Sequence, residues 1–474
     1  TETGLGTLGL IAVAGYDNSY QIRNARQQEA QFSGDVLVPV TDKTVTSGRN
    51  DVQLNLLGGL NLTGNSYDLK WTNLYVRTTT KEARTSIGPD FDAGGSVLRD
   101  DFTEYFVREL LTTQLAGSHE FLNGDFTVDW RAAYALTTRD APYESQFGYG
   151  VDGNGNFIHN IQSNRVSFSD LEDDILSGGI DLSYRLPLSS AREAIIKAGI
   201  ASSDNSRSAQ RRDLQFQAVG ALSDDQRESR IDFLFSDFNI NPLTLEIREI
   251  SGGNGDNAYD ADLQVNAAYV SVDAEVIPLV RVTAGVRYED GEQNVTPRNL
   301  FGGTSLFSPT SISEEYFLPS LTATWNFYED MQLRVGGSKT IGRPQFRELA
   351  PQAYYDTESN RTFIGNPFLV DTEIVNVDAR YEWYFARQQY ITAGVFYKDL
   401  DKPVESAIVD VGNQRQQTFL NAPQATILGA EFEVKKYFEF IDAGSDFVAN
   451  KRWLVQANYT YSDSDVQVNA DDTV

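Results

Sequence analysis

Apolar and polar residues alternate with a period of two in many segments of this chain, and this pattern constrains its fold more than any other feature. Successive side chains of a β-strand point to opposite faces, so strict alternation predicts strands. The clearest case is residues 375–385, where one face carries Val375, Val377, Ala379, Tyr381, Trp383 and Phe385 and the other carries Asn376, Asp378, Arg380, Glu382 and Tyr384. We therefore expect an all-β protein.

The same alternation recurs along the chain, at 126–136, 280–289, 316–327, 391–398 and 452–461. Each run is about as long as a tilted strand that crosses a bilayer, roughly 9 to 11 residues. No segment approaches the roughly 18 consecutive apolar residues of a membrane helix, which excludes a helical membrane protein. Two classes remain: a secreted β-sandwich, β-helix or propeller, and a transmembrane antiparallel β-barrel.

The connections between these runs alternate in length, which favours the barrel. Short turns are predicted at 64–66, 122–124, 188–191, 276–278, 327–330 and 386–389, with a longer one at 441–451. Long polar connections are predicted at 27–47, 79–98, 143–167, 203–257, 294–311, 344–366 and 403–418. Outer-membrane barrels have tight periplasmic turns and long extracellular loops, and the pattern gives about fifteen spans.

Aromatic residues support the same interpretation. They make up 12% of the chain and gather at strand ends beside short turns. The two clusters that stand out are Tyr381, Trp383, Tyr384 and Phe385 on one strand and Trp325, Phe327 and Tyr328 on another. Because transmembrane barrels carry aromatic girdles at the membrane interfaces, we expect both clusters at one membrane boundary.

Charge and cysteine content exclude several functions. The 39 Lys and Arg residues face 67 Asp and Glu residues, which gives a net charge of −28. A nucleic-acid-binding protein needs a basic face to neutralise phosphates, and this chain offers none in its sequence. The chain has no cysteine, so disulfides and thiolate metal sites are impossible.

The sequence does not predict an enzyme. Its two histidines are His119, beside a short turn, and His159, in a long connection. We expect them on opposite sides of the membrane, where they cannot cooperate, and each is better explained as a surface histidine than as a general base. No cofactor is expected.

A metal site is not predicted either. The run from Asp152 to Asn156 looks like the start of a calcium loop, but Phe157 and Ser163 stand where an EF-hand needs Gly and Glu. We interpret this run, and residues 251–257, as turns. The acidic runs at 100–101 and 172–174 are expected to be solvated strand entries, although they could also hold divalent cations that bridge lipopolysaccharide phosphates.

Four stretches carry a family resemblance. They read SKTIGRPQFRELAP at 338–351, FIGNPFLVDTEIVNVDARYEWYF at 363–385, ITAGVFYKDLDKPVE at 391–405 and TFLNAPQATILGAEFEVKKYF at 418–438. This part of the chain resembles the barrel domain of TonB-dependent outer-membrane receptors, especially the proteobacterial members. The resemblance implies a 22-stranded barrel in the outer membrane of a Gram-negative bacterium, plugged by an N-terminal domain that engages TonB. We expect residues 1–474 to be a portion of that barrel, without the plug domain and the last strands.

The resemblance also implies a function and partners. Such receptors bind a scarce nutrient on the extracellular side, and TonB, driven by its inner-membrane partners, powers its import. The expected ligand is a metal chelate, a cobalamin-like molecule or an oligosaccharide, and the expected surroundings are outer-membrane lipid and lipopolysaccharide. The alternative is a passive porin or a structural barrel, which needs no energising partner.

Candidate ligand-binding residues are few. Lys339, Arg343 and Arg347 could form a cationic patch in the lumen or loops for an anionic ligand, or could pair with lumen or plug carboxylates. The connection at 203–257 contains several apolar residues, namely Ile231, Phe233, Leu234, Phe235, Phe238 and Ile240. We expect this loop to fold on itself and to close the mouth of the barrel or touch the ligand.

Overall fold

The structure, a computed structural model, is built almost entirely from β-strands. It describes residues 2–3, 6–33, 36–91, 94–189, 192–251, 257–301, 304–305, 307–356, 361–411, 414–439 and 451–468. The strands in this part are β1 (Glu2–Thr3), β2 (Gly6–Ser33), β3 (Val36–Thr63), β4 (Tyr67–Asp90), β5 (Ser96–Phe121), β6 (Phe126–Val151), β7 (Phe157–Ser189), β8 (Arg192–Ala218), β9 (Leu245–Glu249), β10 (Ala258–Ile277), β11 (Val280–Arg298), β12 (Thr310–Tyr328), β13 (Met331–Gly342), β14 (Tyr354–Asp356), β15 (Arg361–Phe363), β16 (Thr372–Ala386), β17 (Gln389–Asp401), β18 (Val404–Val411), β19 (Gln414–Asn421), β20 (Gln424–Glu439) and β21 (Arg452–Val466).

The helical elements are short: α1 (Asp224–Arg227), α2 (Ile231–Leu234), α3 (Phe346–Leu349) and a 3₁₀ turn at Leu122–Gly124. No helix in the described part of the chain is both long and apolar enough to cross a bilayer.

One 17-stranded antiparallel sheet forms the wall. Two of its strands, β1 and β9, are short, which leaves fifteen long strands, in agreement with the predicted number of spans. Each long strand pairs with the next in the order β2, β3, β4, β5, β6, β7, β8, β10, β11, β12, β13, β16, β17, β20, β21. No pairing joins β2 to β21 among the described residues, so the sheet is not closed there.

The two faces of the wall follow the alternation in the sequence. On β16, the exposed side chains of Val375 and Val377 lie on the apolar face, whereas Glu382 on the other face is buried. Strand register carries these faces around the wall, because residues paired across strands share a face. Leu321, Val335, Val395 and Leu428, each from a different strand, are likewise apolar and exposed. The apolar face therefore points outward to lipid and the polar face points into the lumen.

Several predicted turns are confirmed. Residues 64–66, 122–125, 278–279, 329–330 and 387–388 connect consecutive strands at one end of the wall. Gln388 and Leu279 adopt φ values of 59° and 72°, as tight two-residue hairpins require. The predicted turns at 188–191 and 441–451, and the run at 251–257, lie partly or mostly outside the described residues.

The long polar connections are largely not loops, and here the prediction was wrong. Residues 27–33 and 36–47 extend the β2–β3 hairpin, and residues 79–90 and 96–98 extend β4 and β5. β7 reaches 33 residues. Apolar alternation marks only the stretch of strand that faces lipid, whereas backbone hydrogen bonds continue the ladder into water regardless of side-chain polarity.

The two aromatic clusters lie together, as predicted. The rings of Phe327 on β12 and Tyr381 on β16 are 6.3 Å apart, and the Trp325 ring lies 5.3 Å from that of Phe327. The Trp383 and Phe385 rings are 5.1 Å apart. All of these residues lie beside the short turns, which places one aromatic girdle at this end of the wall.

Three insertions lie at the opposite end, where the long connections are. We call residues 219–251 the appendage and residues 343–371 the mouth segment; the third insertion is the β18–β19 hairpin. β14, β15, β19 and β18 form a separate four-stranded sheet, in which β15 and β19 pair in parallel. Phe346, Leu349, Ala350 and Leu369 of the mouth segment are buried against Tyr259, Ala261 and Val295 of the inner wall. The mouth segment thus fills part of the lumen near this end.

Candidate functional site

A cavity of about 380 Å³ lies in the lumen between the mouth segment and the wall. The wall contributes residues from β3 to β8 and from β10, and the mouth segment contributes Arg347, Ala350, Gln352 and Tyr354. The barrel thus supplies one side of the cavity and the folded connection supplies the other, which is the usual way in which a rigid scaffold and a loop share a ligand site.

Six arginines line this cavity, against four acidic residues. They are Arg49, Arg84, Arg108, Arg139, Arg211 and Arg347, and the acids are Glu82, Glu104, Glu144 and Asp170. The cavity is therefore cationic in a chain whose net charge is −28. Arginine is the side chain best suited to planar, bidentate recognition of carboxylate or phosphate groups.

Strand register explains how these arginines converge. Arg108 on β5 lies directly opposite Arg139 on β6, and Arg211 on β8 pairs with Ser169 on β7. All of them occupy lumen-facing positions of their strands. Like charges directly opposite each other destabilise a sheet, so the pair formed by Arg108 and Arg139 carries a cost that an anion between them would relieve.

Some of these arginines are already paired. Arg211 contacts Glu144 at 3.0 Å and Asp213 at 3.0 Å, and Arg49 contacts Asp51 at 2.7 Å. Arg108, Arg139 and Arg347, in contrast, form no ion pair with any residue that the structure describes. These three guanidinium groups are the ones with donors left for a ligand.

Aromatic rings hold all three of these guanidinium groups in place. Arg108 and Arg139 lie 5.3 Å and 4.7 Å from the centre of the Phe106 ring, and Arg347 lies 4.9 Å from that of Tyr354. Such cation–π contacts stabilise a guanidinium without neutralising it. Arg139 also donates a hydrogen bond to Ser169 at 2.9 Å.

Burial changes the titration of two cavity residues. It lowers the pKa of the Arg139 guanidinium, and Arg108 and Arg211 add to the lowering, although Glu144 opposes it. It raises the pKa of Tyr259, so this phenol stays protonated at neutral pH and can donate a hydrogen bond. The cavity thus contains closely spaced guanidinium groups together with a neutral phenol that can donate a hydrogen bond.

The structure does not bring the three predicted site residues together. Arg347 lines the cavity. Arg343 lies beneath it, where it contacts Glu289 at 3.1 Å and Asp371 at 3.9 Å. Lys339 pairs with Glu373 and shares the outward face of β13 with Val335.

Sequence reasoning missed the arginines on the wall. Arg108 and Arg139 lie outside the segments that the sequence pattern assigns to strands, turns or long connections, and nothing in the sequence indicates that they are cross-strand neighbours. The only sequence signal that an arginine faces the lumen was its odd or even position along the strand. Arg139 has the same parity as the lumen-facing Arg131 on the same strand.

The appendage folds on itself, as predicted, but it does not lie over the cavity. Leu234 and Leu245 are fully buried within it. Phe235, which directly follows α2, stacks on Phe216 and Phe147, which belong to the outward face of the extended strands. No appendage residue is among those that line the cavity.

The two histidines lie at opposite ends of the strands, as predicted. His119 accepts a hydrogen bond of 3.1 Å from Trp130 near the short turns. The prediction that both are surface residues was wrong for His159, which is only 3% exposed because Tyr149 and the appendage cover it.

The run from Asp152 to Asn156 is a turn between β6 and β7, as predicted. The Asp152 carboxylate accepts hydrogen bonds from the backbone amides of Asn154 and Asn156 at 2.9 and 2.7 Å. Among the residues that the structure describes, no group of three or more acidic or histidine side chains could hold a metal ion.

Comparisons with known proteins identify the fold. The ferric-catecholate import receptor Fiu from E. coli K12, in its closed form, matches with a TM-score of 0.55 and 13% identity, over 97% of this chain and 65% of that one. The copper transporter OprC matches with a TM-score of 0.52 and 11% identity, over 98% of this chain and 63% of that one. The ferric citrate transporter FecA matches with a TM-score of 0.51 and 11% identity, over 96% of this chain and 60% of that one.

This chain therefore spans less than two thirds of the length of these structural relatives. No curated protein matches the sequence. Identities this low show a shared fold and nothing finer.

A family model is more specific. The model described as TonB dependent receptor-like, beta-barrel matches residues 41–474, which is most of the chain. Members of this family are outer-membrane transport receptors of Gram-negative bacteria and not enzymes. The resemblance noted at 338–438 is confirmed, and the chain belongs to the TonB-dependent receptor-like β-barrel family.

Proposed function

We propose that this chain is the barrel part of a receptor that binds an anionic metal chelate in the arginine-lined cavity and imports it with energy from TonB. The observation that carries the choice of ligand is the opposed pair Arg108 and Arg139, which face the cavity without an ion pair to any described residue. Two cations placed side by side in a half-buried site favour a ligand with more than one negative charge.

This charge pattern separates the candidate ligands. A neutral oligosaccharide would leave the guanidinium groups desolvated and unpaired, which costs free energy. A chelate with several carboxylate or phenolate oxygens would pair with them. Two of the related structures are a ferric-catecholate import receptor and a ferric citrate transporter, and their ligands suit the choice of an anionic iron complex.

The binding test uses the full-length receptor in detergent, with radioactive iron presented as ferric citrate or as a ferric catecholate complex. Loss of one charge-assisted contact in Arg139→Gln removes about 1.5–3 kcal/mol, or about 10- to 100-fold in Kd. Arg108→Gln should behave in the same way. Lys339→Gln is the matched control, because Lys339 lies on the outward face. Equal losses in the control, or tighter binding of cobalamin or a neutral oligosaccharide, would contradict the choice of ligand.

The transport test separates this proposal from a passive porin. Uptake of the same complex should require TonB in intact cells and should fall in Arg139→Gln in proportion to binding. Uptake that is unchanged in cells without TonB would favour the porin, even if the binding result stands.

A further inference from the structure

The appendage is attached to the outside of the barrel wall. Ile200 on β8 faces lipid, and the pairing of β8 with β7 is regular from Ile200 to Leu214. Phe216, two residues further along the same strand, has the same parity and pairs with Ile247 of β9. Phe235, at the end of α2, stacks on the Phe216 ring at 4.3 Å and on the Phe147 ring at 5.2 Å. The appendage therefore covers the outward face of the extended strands.

Among the exposed large apolar side chains of the appendage, three are more than half exposed. Phe233, Phe238 and Leu243 are 54%, 80% and 85% exposed, and we call them the apolar tip. Their backbone is held in place, since Asn239 and Asn241 donate side-chain hydrogen bonds of 2.8 and 3.0 Å to the carbonyls of Phe233 and Phe238. The Leu243 amide also donates to the Asn241 side chain at 2.9 Å, so these hydrogen bonds gather the three residues into one compact turn. A contiguous apolar surface of this kind outside the bilayer marks an interaction site.

Lipid is not the occupant of this tip. Ile200 and Phe216 of β8 are separated by sixteen residue steps of about 3.3 Å each, which places the base of the appendage on the order of 50 Å along the strand from Ile200 in the lipid-facing zone. Even if β8 is tilted by about 45° from the bilayer normal, the apolar tip lies well above the membrane surface.

The charge around the tip is acidic. From Asp224 to Glu249 the appendage has seven acidic residues and three arginines. Each arginine pairs within the appendage: Arg227 with Asp224, Arg230 with Asp232, and Arg248 with Glu246. Asp225, Glu228 and Asp237 are exposed and form no ion pair with a described residue. An apolar surface with acidic neighbours complements a partner that carries apolar and basic side chains.

We propose that the apolar tip docks a protein partner through a segment that combines aromatic or aliphatic residues with Lys or Arg. A second copy of this chain fits poorly, because a symmetric contact would bring the same acidic residues face to face. Lipopolysaccharide fits poorly, because its phosphates are also anionic. The partner binds on the outside of the wall, so this contact is independent of the ligand cavity.

The first test measures affinity with a defined probe. A fluorescein-labelled peptide of Lys, Phe and Gly is titrated against the full-length receptor in zwitterionic nanodiscs, beside an analogue with Glu in place of Lys. The Lys peptide should bind more tightly, and Phe238→Ser with Leu243→Ser should weaken it by about tenfold or more. Phe368→Ser is the control, since Phe368 is 86% exposed but belongs to the mouth segment. Equal binding of both peptides, or an equal loss in the control, would overturn the proposal.

The second test identifies the occupant in cells. A photoreactive phenylalanine analogue replaces Phe238, and adducts are compared with those of a receptor that also carries Asp225→Lys, Glu228→Lys and Asp237→Lys. A protein adduct that the charge reversal abolishes, and whose cross-linked segment is basic, supports the proposal. Adducts to polysaccharide or to a second receptor, or no adduct, would overturn it. The substituted residues are exposed, and heat-modifiable migration on gels verifies that each variant is folded.

Discussion

At the scale of single residues, Gly365 allows the two limbs of the mouth segment to pack closely against each other. A Cβ added at Gly365 would lie 2.1 Å from the carbonyl oxygen of Ala350, a backbone atom that cannot move without the segment. The Gly365 amide also donates to that oxygen at 3.1 Å, which ties the two limbs of the segment together. Glycine is needed here for close backbone approach, not for an unusual φ.

We therefore expect Gly365→Ala to loosen the mouth segment and to weaken ligand binding by about tenfold, because Arg347 and Tyr354 belong to it. Limited proteolysis within residues 343–371 should be several times faster than in the wild type. Gly337→Ala is the control, since its Cβ would meet nothing closer than 3.8 Å. Unchanged proteolysis in Gly365→Ala would show that the segment adapts.

His159 makes the appendage sensitive to pH. Burial lowers its pKa, and Arg99 and Arg227 oppose protonation, whereas Asp101 and a backbone hydrogen bond with Ser229 favour it. Because the folded-state pKa lies below the unfolded value, the stabilisation is present above about pH 6.5 and is lost as the pH falls. The protection factors of the backbone amides at residues 224–235, which correct for the slower intrinsic exchange at low pH, should fall between pH 7.5 and 5. His159→Gln should remove this pH dependence, and its persistence in that variant would assign the effect to another group.

At the scale of elements, the two ends of the mouth segment are fastened to the wall and to each other. Arg343 at one end contacts Glu289 on β11, and Asp371 at the other end accepts a 3.0 Å hydrogen bond from Tyr316 on β12. Asp371 is buried, and its second carboxylate oxygen has no hydrogen-bond partner among the described residues. The hydroxyl of Tyr316 is therefore a main source of its stabilisation.

Tyr316→Phe should destabilise this attachment by about 1–3 kcal/mol, because it leaves a buried carboxylate with only the distant Arg343. Hydrogen exchange across 343–371 should report the loss, with little change in the membrane-spanning strands. Tyr328→Phe is the control, since Tyr328 is two thirds exposed at the short-turn end. A uniform effect of Tyr316→Phe on all strands would point to a general folding defect instead.

The sequence could predict the strands but not the parts of the wall outside lipid. Val375 and Val377 alternate with polar residues because one side meets hydrocarbon. That apolar–polar contrast disappears at 36–47, where the strand continues outside the bilayer and its lumen-facing Lys43 and Ser47 are buried against neighbouring strands rather than alternating with lipid-facing residues. The parallel pairing of Thr362 with Gln416 joins segments far apart in sequence and leaves no local pattern. The cavity could not be predicted either, because the strand register that places Arg108 opposite Arg139 is set by the whole hairpin and leaves no local sequence pattern.

At the scale of the molecule, charge is separated by location. The chain carries −28 overall, yet its lumenal cavity has an excess of arginine, and the appendage has an excess of acid. An anionic ligand would thus be repelled by much of the surface and attracted only within the mouth, which favours selectivity over rapid capture.

The orientation of the wall in the membrane can be tested by cysteine labelling, because the chain has no cysteine of its own. Gly153 lies in the turn between β6 and β7 with open space around it, and Gln388 lies in a short turn at the other end. β7 spans 33 residues, on the order of 100 Å, whereas a bilayer crossing needs about 10 residues, so the Gly153 end projects far beyond the membrane. A membrane-impermeant maleimide should label Gly153→Cys in intact cells and should label Gln388→Cys only after the outer membrane is permeabilised. Labelling of Gln388→Cys in intact cells would reverse the orientation, and the cavity, which lies toward the Gly153 end, would then face the periplasm.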